Sequence, residues 1–279
     1  MKISKFLTTT ALVLASLAAP QAQAKDWKTV TITLEGAYAP WNLTNPDGTL
    51  GGFEPELAKY LCDHMKVECT LVASDWDSMI TSLNAGKYDV IMDALSITEE
   101  RKQIIDFTIP YAHTHAAFAT LKDGPLANAA GTGTVVKMEP ATTGTAEIEA
   151  MKTAFAGKTI GIQAATVYSK FIYANFGDIA TVREYKTGAE RDLDLETGRI
   201  DLAFDDAVYL VAAFEKSKGV LGFTGPEIGG TIFGSGEGLG IRKADPELRD
   251  MFDKAIKAAL DDGTVKTLSM KWFKTDVSP

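Results

Sequence analysis

Strands and helices alternate twice along this chain, and that alternation limits the fold more than any other feature. Runs rich in β-branched and apolar residues at 30–34, 69–72 and 90–92 are separated by two stretches with helical spacing. Leu57, Tyr60, Leu61 and Met65 mark one stretch, and Met79, Ile80 and Leu83 the other. A second block repeats the scheme, with strands expected at 159–162, 181–185 and 202–204 and helices at 168–176, 189–197 and 207–216. Such alternation predicts an α/β fold, with parallel sheets covered by helices. The blocks lie near 29–111 and 157–221. Between them, residues 122–144 are rich in Gly, Ala, Thr and Pro and have no period; they read as a surface excursion. After the second block come a Gly-rich stretch (224–240), a short strand (239–241), a helix over 246–261 opened by Pro246, and a last helix over 265–273. Leu248, Phe252, Ile256, Leu260, Leu268 and Trp272 on that tail need a partner to be buried.

The first 24 residues read as a secretory signal peptide: Lys2 and Lys5, an apolar run from Ala11 to Ala19, then the small residues Ala22 and Ala24 around Gln23. The apolar run is too short to span a bilayer. The remainder is expected to be soluble and exported. Its two cysteines, Cys62 and Cys69, sit where a helix end turns toward a strand. In an oxidising compartment a disulfide is the favoured expectation, with two buried free thiols as the alternative. A metal site is disfavoured, because His64 is the only soft ligand near them. The formal charge is −9, which argues against nucleic acid as a partner.

In open α/β sheets, ligands bind beyond the carboxyl ends of the strands. Glu35 and Tyr38 follow the first strand, Trp76 the second, and Asp93, Ala94, Ser96 and Arg101 the third. Ala164 and Thr166 follow the first strand of the second block, and Asp206 follows the strand at 202–204. This set suits a zwitterion carrying an extra positive charge. Arg101 can fork onto a carboxylate. Ser96 and Thr166 supply hydroxyls, and the helix start after Thr166 favours an anion. Asp206 can accept an ammonium group, Glu35 and Asp93 remain for a second cation, and Tyr38 and Trp76 can flank a side chain. Each residue taken alone has a plainer reading, such as helix cap, core aromatic or solvated charge. His113 and His115 read as structural. Gly234-Ser235-Gly236-Glu237-Gly238 looks superficially like a phosphate loop, but it lacks the Lys-Ser/Thr ending and a preceding strand.

In order along the chain, several segments resemble the periplasmic solute-binding proteins that feed polar amino acids to ABC importers. They are Glu35 to Trp41, Gly52-Phe53-Glu54, Ala73 to Asp77, Leu95 to Arg101, Gly198 to Asp201 and Gly238 to Lys243. The Cys62/Cys69 spacing resembles the lysine/arginine/ornithine- and histidine-binding members. The Gly/Thr excursion, Asp192 to Leu195 and the ending Thr267 to Lys274 resemble the octopine- and nopaline-binding branch. The resemblance implies two lobes closing on the ligand, joined by crossings near 114–120 and 222–231. Lobe 1 would comprise 25–115 and 226–279, and lobe 2 would comprise 116–225. By position it implies Arg101, Ser96 and Thr166 on the α-carboxylate and Asp206 on the α-amino group. Tyr38 and Trp76 would flank the side chain, Glu35 would meet its distal cation, and Ile162 and Ala164 would offer backbone contacts. Asp93-Ala94 departs from the small polar residues of the basic amino-acid members.

The expected function is a periplasmic, monomeric receptor for arginine, ornithine, lysine or an arginine-derived opine, delivering to a membrane permease. No cofactor or metal is expected. The alternative is an enzyme on the same scaffold, resembling cyclohexadienyl dehydratases, with Glu35 or Asp93 as general acid. The surplus of acids argues against it, since that enzyme's substrate brings no second cation.

Overall fold

A computed structural model describes residues 25–139 and 145–279. The expected signal peptide lies outside the described residues, as do the last five residues of the excursion. The chain opens with β1 (Thr29–Leu34), whose side chains alternate between exposed and buried before ending wholly buried. A small antiparallel sheet of β2 (Ala37–Tyr38), β3 (Asn42–Thr44) and β4 (Leu50–Gly51) follows. The chain then enters α1 (Phe53–Met65). Gly52 makes this entry possible: its φ is +119°, and a Cβ there would stand 2.6 Å from the Trp41 carbonyl oxygen. Next come β5 (Glu68–Ala73), α2 (Met79–Asn84), β6 (Val90–Ile91), α3 (Glu99–Lys102) and β7 (Asp106–Phe107).

β8 (Ala116–Leu121) begins the second lobe. It is followed by β9 (Val135–Lys137), α4 (Ala146–Phe155), β10 (Thr159–Gln163), α5 (Val167–Phe176), β11 (Thr181–Tyr185), α6 (Gly188–Glu196), β12 (Leu202–Asp206), α7 (Ala207–Lys216) and β13 (Leu221–Gly229). The tail supplies β14 (Gly240–Ile241), α8 (Pro246–Asp261) and α9 (Thr264–Trp272).

The two larger sheets are ordered β5-β1-β6-β14-β7 and β11-β10-β12-β8-β13-β9. β1 runs parallel to β5 and β6, and β10 runs parallel to β11 and β12. The strands that leave and re-enter the alternating pattern are antiparallel: β8 lies between β12 and β13, and β14 between β6 and β7. β14 therefore carries the tail back into the first sheet. α8 then buries Leu248, Phe252 and Ile256 in the core that holds Leu57 and Leu61 of α1. That contact supplies the partner the tail's apolar face needs. The second lobe has its own core, in which Phe118 is in ring contact with Phe155, Phe176 and Phe204, and Phe155 with Phe176.

Cys62 and Cys69 are bonded, with Cα atoms 6.1 Å apart, and tie the end of α1 to β5. α4 and β8 were not expected from periodicity. Within the excursion, β9 pairs parallel with β13. The expected lobe boundary at 225/226 falls inside β13, whose pairing with β8 shifts register between Thr224 and Ile228. His115 meets a carboxylate that local sequence does not reveal: its Nδ1 lies 3.3 Å from Glu227 Oε2 on β13.

Candidate functional site

The C-terminal ends of β1, β5 and β6 face those of β10 and β12, and the loops after them meet in a cleft. A small cavity there is lined by Glu35, Tyr38, Trp76, Asp93, Ala94, Ser96, Arg101, Gln163, Thr166, Val167 and Tyr168. Eight of the expected site residues are thus brought together from both lobes. Ile162, Ala164 and Asp206 do not line it. Ile162 is wholly buried in the second core, and the Ala164 N–H donates to the Tyr185 carbonyl at 3.0 Å.

Arg101 stands in the short helix α3, with Thr98 capping: the Arg101 N–H donates to Thr98 Oγ1 at 3.2 Å. Its Nη1 donates to the Ser96 carbonyl at 3.0 Å, and the guanidinium sits 5.4 Å from the Trp76 ring centre. Burial pulls its pKa down to about 10, so it stays charged at neutral pH. Its neighbour Glu100 turns away to Lys170 on the other lobe. Arg101 has no ion-pair partner among the described residues, which leaves a cation at the cleft wall able to accept a ligand carboxylate.

The acids lie elsewhere in the cleft. Glu35 accepts a hydrogen bond from Gln163 Nε2 at 3.0 Å, across the cleft. Burial, with Asp205 and Asp75 nearby, raises its pKa to about 7. Asp93 Oδ1 accepts from the Glu35 N–H at 2.9 Å and from Asn42 Nδ2 at 2.6 Å. Asn42 Nδ2 also reaches Glu54 Oε2 at 2.7 Å, and Glu54 Oε1 accepts from the Ala94 N–H and from the Tyr111 hydroxyl. One oxygen of Asp93 is therefore committed to holding the Glu35 main chain. Burial, with Glu54 and Glu35 beside it, keeps the Asp93 carboxyl well above the usual range.

On the other lobe, Thr166 caps α5. Its hydroxyl accepts from the Ser169 N–H at 3.0 Å and donates to the Gln163 carbonyl at 2.9 Å. Asp206 caps α7, with Oδ1 accepting from the Tyr209 N–H at 2.9 Å and Oδ2 bonded to the Thr114 hydroxyl. Burial raises its pKa to about 6. Tyr168, which does line the cavity, lies in the field of Asp206 and Asp205. Asp205 pairs with wholly buried Arg191, which also holds Asp192. Tyr38 spans the lobes: its hydroxyl donates to Asp205 Oδ1 at 2.6 Å, and its ring stacks on Tyr209 at 4.6 Å. Sequence reasoning left out Gln163, Val167, Tyr168, Asp205 and Arg191. Gln163 and Asp205 were visible as residues at strand ends. Arg191 carried no local signal, because its partners come from a different element.

The profile of the bacterial extracellular solute-binding proteins, family 3, matches residues 30–275. The chain belongs to this family. Among its relatives, the octopine-binding periplasmic protein of Rhizobium meliloti is 41% identical across the whole of both chains. The L-arginine-binding protein of Pseudomonas aeruginosa is 33% identical over 96% of this chain and 95% of its own. A solved periplasmic protein of the His/Glu/Gln/Arg/opine-binding family from Silicibacter pomeroyi, in complex with lysine, superimposes with a TM-score of 0.72 and 33% identity, covering 90% of this chain and 99% of its own. The family resemblance read from ordered segments agrees with these matches, as does the two-lobe α/β class. By name, these relatives are binding proteins rather than enzymes.

Proposed function

We propose that this family member is the periplasmic receptor of an ABC importer for arginine, ornithine, lysine or an arginine-derived opine. One observation carries the reading. Arg101, without an ion-pair partner among the described residues, faces a cavity that the acids Glu35 and Asp93 also line, and Tyr168 of the same lining lies in the field of Asp206. A solute that mirrors this pattern has a carboxylate at one end and cations beyond it. An acidic solute would leave buried carboxylates unpaired, which is costly. Arg101, Ser96 and the start of α5 take the carboxylate, Asp206 takes the amine, Glu35 meets the distal cation, and Tyr38 and Trp76 flank the chain between. The octopine name of one relative and the lysine held by a structural neighbour support this ligand class. The lobes, 25–115 with 226–279 and 116–225, close on the ligand, and the closed monomer is the form the permease recognises.

Titration calorimetry with arginine, ornithine, lysine, octopine, nopaline and glutamate tests the reading. Binding of at least one cationic ligand with no heat from glutamate is expected. Tight glutamate binding with silence from the others would refute it.

A further inference from the structure

The glycine-rich run 234–238 has a use that its superficial likeness to a phosphate loop hides. Gly234 and Gly236 have φ of +124° and +102°, and a Cβ at either would stand 2.5 or 2.7 Å from the carbonyl oxygens of Ile97 and Ala112. Only a chain without Cβ atoms there can pass between those two segments. The passage is stitched on both sides. Ile97 N–H donates to the Gly236 carbonyl at 2.8 Å, Glu237 N–H to Ala112 at 3.0 Å, and Tyr111 N–H to Glu237 at 2.9 Å. What this fixes in place is Glu237, paired across a β-bridge with Ser96 of the cavity wall.

Glu237 is 6% exposed. Its Oε1 receives a 3.3 Å bond from the Thr114 hydroxyl, and its Oε2 is buried without a hydrogen-bond partner among the described residues. The same Thr114 hydroxyl is bonded to Asp206 Oδ2. One hydroxyl hydrogen cannot be donated to two carboxylates. The charged groups that face Glu237 add no relief. Asp206 comes from the start of α7 and Glu54 from α1, both acids, and the phenols Tyr111 and Tyr168 complete the surround. A buried carboxylate in such company holds a proton or awaits a cation.

Glu237, like Asp206, stands outside the cavity lining, one residue layer back beside Thr114, and its main chain is bridged to Ser96 of the wall. We propose that Glu237 is a second ligand-binding acid: together with Asp206 it grips the charged α-nitrogen of a solute that enters past the present lining, each carboxylate accepting one N–H. The inference rests on the receptor reading above and narrows it. The nitrogen must be a charged amine with at least two N–H groups, so a primary amine and the secondary amine of an opine both qualify, whereas an acylated nitrogen is rejected. As the ammonium enters, the proton that burial keeps on one of the two acids passes to solvent, so charge in the pocket is conserved.

Calorimetry with L-arginine and octopine at pH about 6.5, in two buffers of different ionisation enthalpy, tests this on the wild type, Glu237→Gln and Glu35→Gln. Loss of a charged hydrogen bond predicts binding to Glu237→Gln weaker by about tenfold or more. That variant also releases close to one proton fewer per ligand and melts no lower than wild type without ligand, whereas Glu35→Gln keeps the release that belongs to the pair. Nα-acetylarginine does not bind the wild type. Unchanged affinity and proton release in Glu237→Gln, or binding of Nα-acetylarginine as tight as that of arginine, would overturn the inference and leave the receptor intact. Silence of the wild type toward both arginine and octopine would instead remove the receptor reading itself, and this inference with it.

Discussion

Arg101 is attached to the fold by one side-chain hydrogen bond and a ring contact, yet it faces the cleft. Arg101→Ala is therefore expected to abolish detectable ligand binding while shifting the melting temperature by only a degree or two, as thermal-shift assays with and without ligand will show. Arg191 is the opposite case. It is wholly buried between Asp192 and Asp205, so Arg191→Ala leaves two buried acids uncompensated and should cost about 3–5 kcal/mol in urea unfolding. Glu35 and Asp206 have pKa values raised to about 7 and about 6, so the folded protein holds their protons more firmly than the unfolded chain does. The stability they contribute is complete below pH about 4 and is lost as pH rises through about 6 and 7. Ligand binding has the opposite slope, because a cationic ligand favours the ionised acids. The ligand-free protein should melt lower at pH 8 than at pH 5 on account of these groups, while the ligand-induced rise in melting temperature grows over the same range. A ligand effect that shrinks with pH would contradict the placement of Glu35 against a cation.

At the scale of elements, helices were legible where their apolar stripe and caps agreed. α7 and α8 match their expected spans, and α6 begins one residue before its expected start, fixed by a capping box between Thr187 and Glu190. Elements whose reason for existing lies in another part of the chain were not. β8 is a strand because β12 and β13 flank it, and the two-residue β7 exists only through β14. The disulfide belongs to this scale too, since it staples the end of α1 to β5 on the side away from the cleft loops. For a loop this short, replacing both cysteines by serine should cost about 2–3 kcal/mol in denaturant unfolding, with ligand affinity unchanged.

At the scale of the whole molecule, the lobes meet through contacts of unequal worth. Lys186 with Asp75 and Lys170 with Glu100 are exposed pairs across the cleft mouth. Reversing either should change affinity by less than about threefold. Tyr38 is different: buried, stacked on Tyr209 and bonded to Asp205, it couples the two lobes from inside. Tyr38→Phe keeps the stack and removes the bond. Its ligand affinity should fall about tenfold, and small-angle scattering should show less compaction on adding ligand.

The α/β class, the pairing of the cysteines as the favoured outcome and most of the residues at the strand ends were legible along the chain. Periodicity and strand-end position are local properties, written within a few residues of each group. Folding was needed to show which acids already have their oxygens satisfied. Asp93 looked available but one of its oxygens is spent on Asn42 and the Glu35 main chain, whereas Glu237 looked incidental but has a buried oxygen with no partner among the described residues. Whether a carboxylate is already satisfied depends on groups that folding brings from tens of residues away, and no reading of neighbours along the chain contains that information.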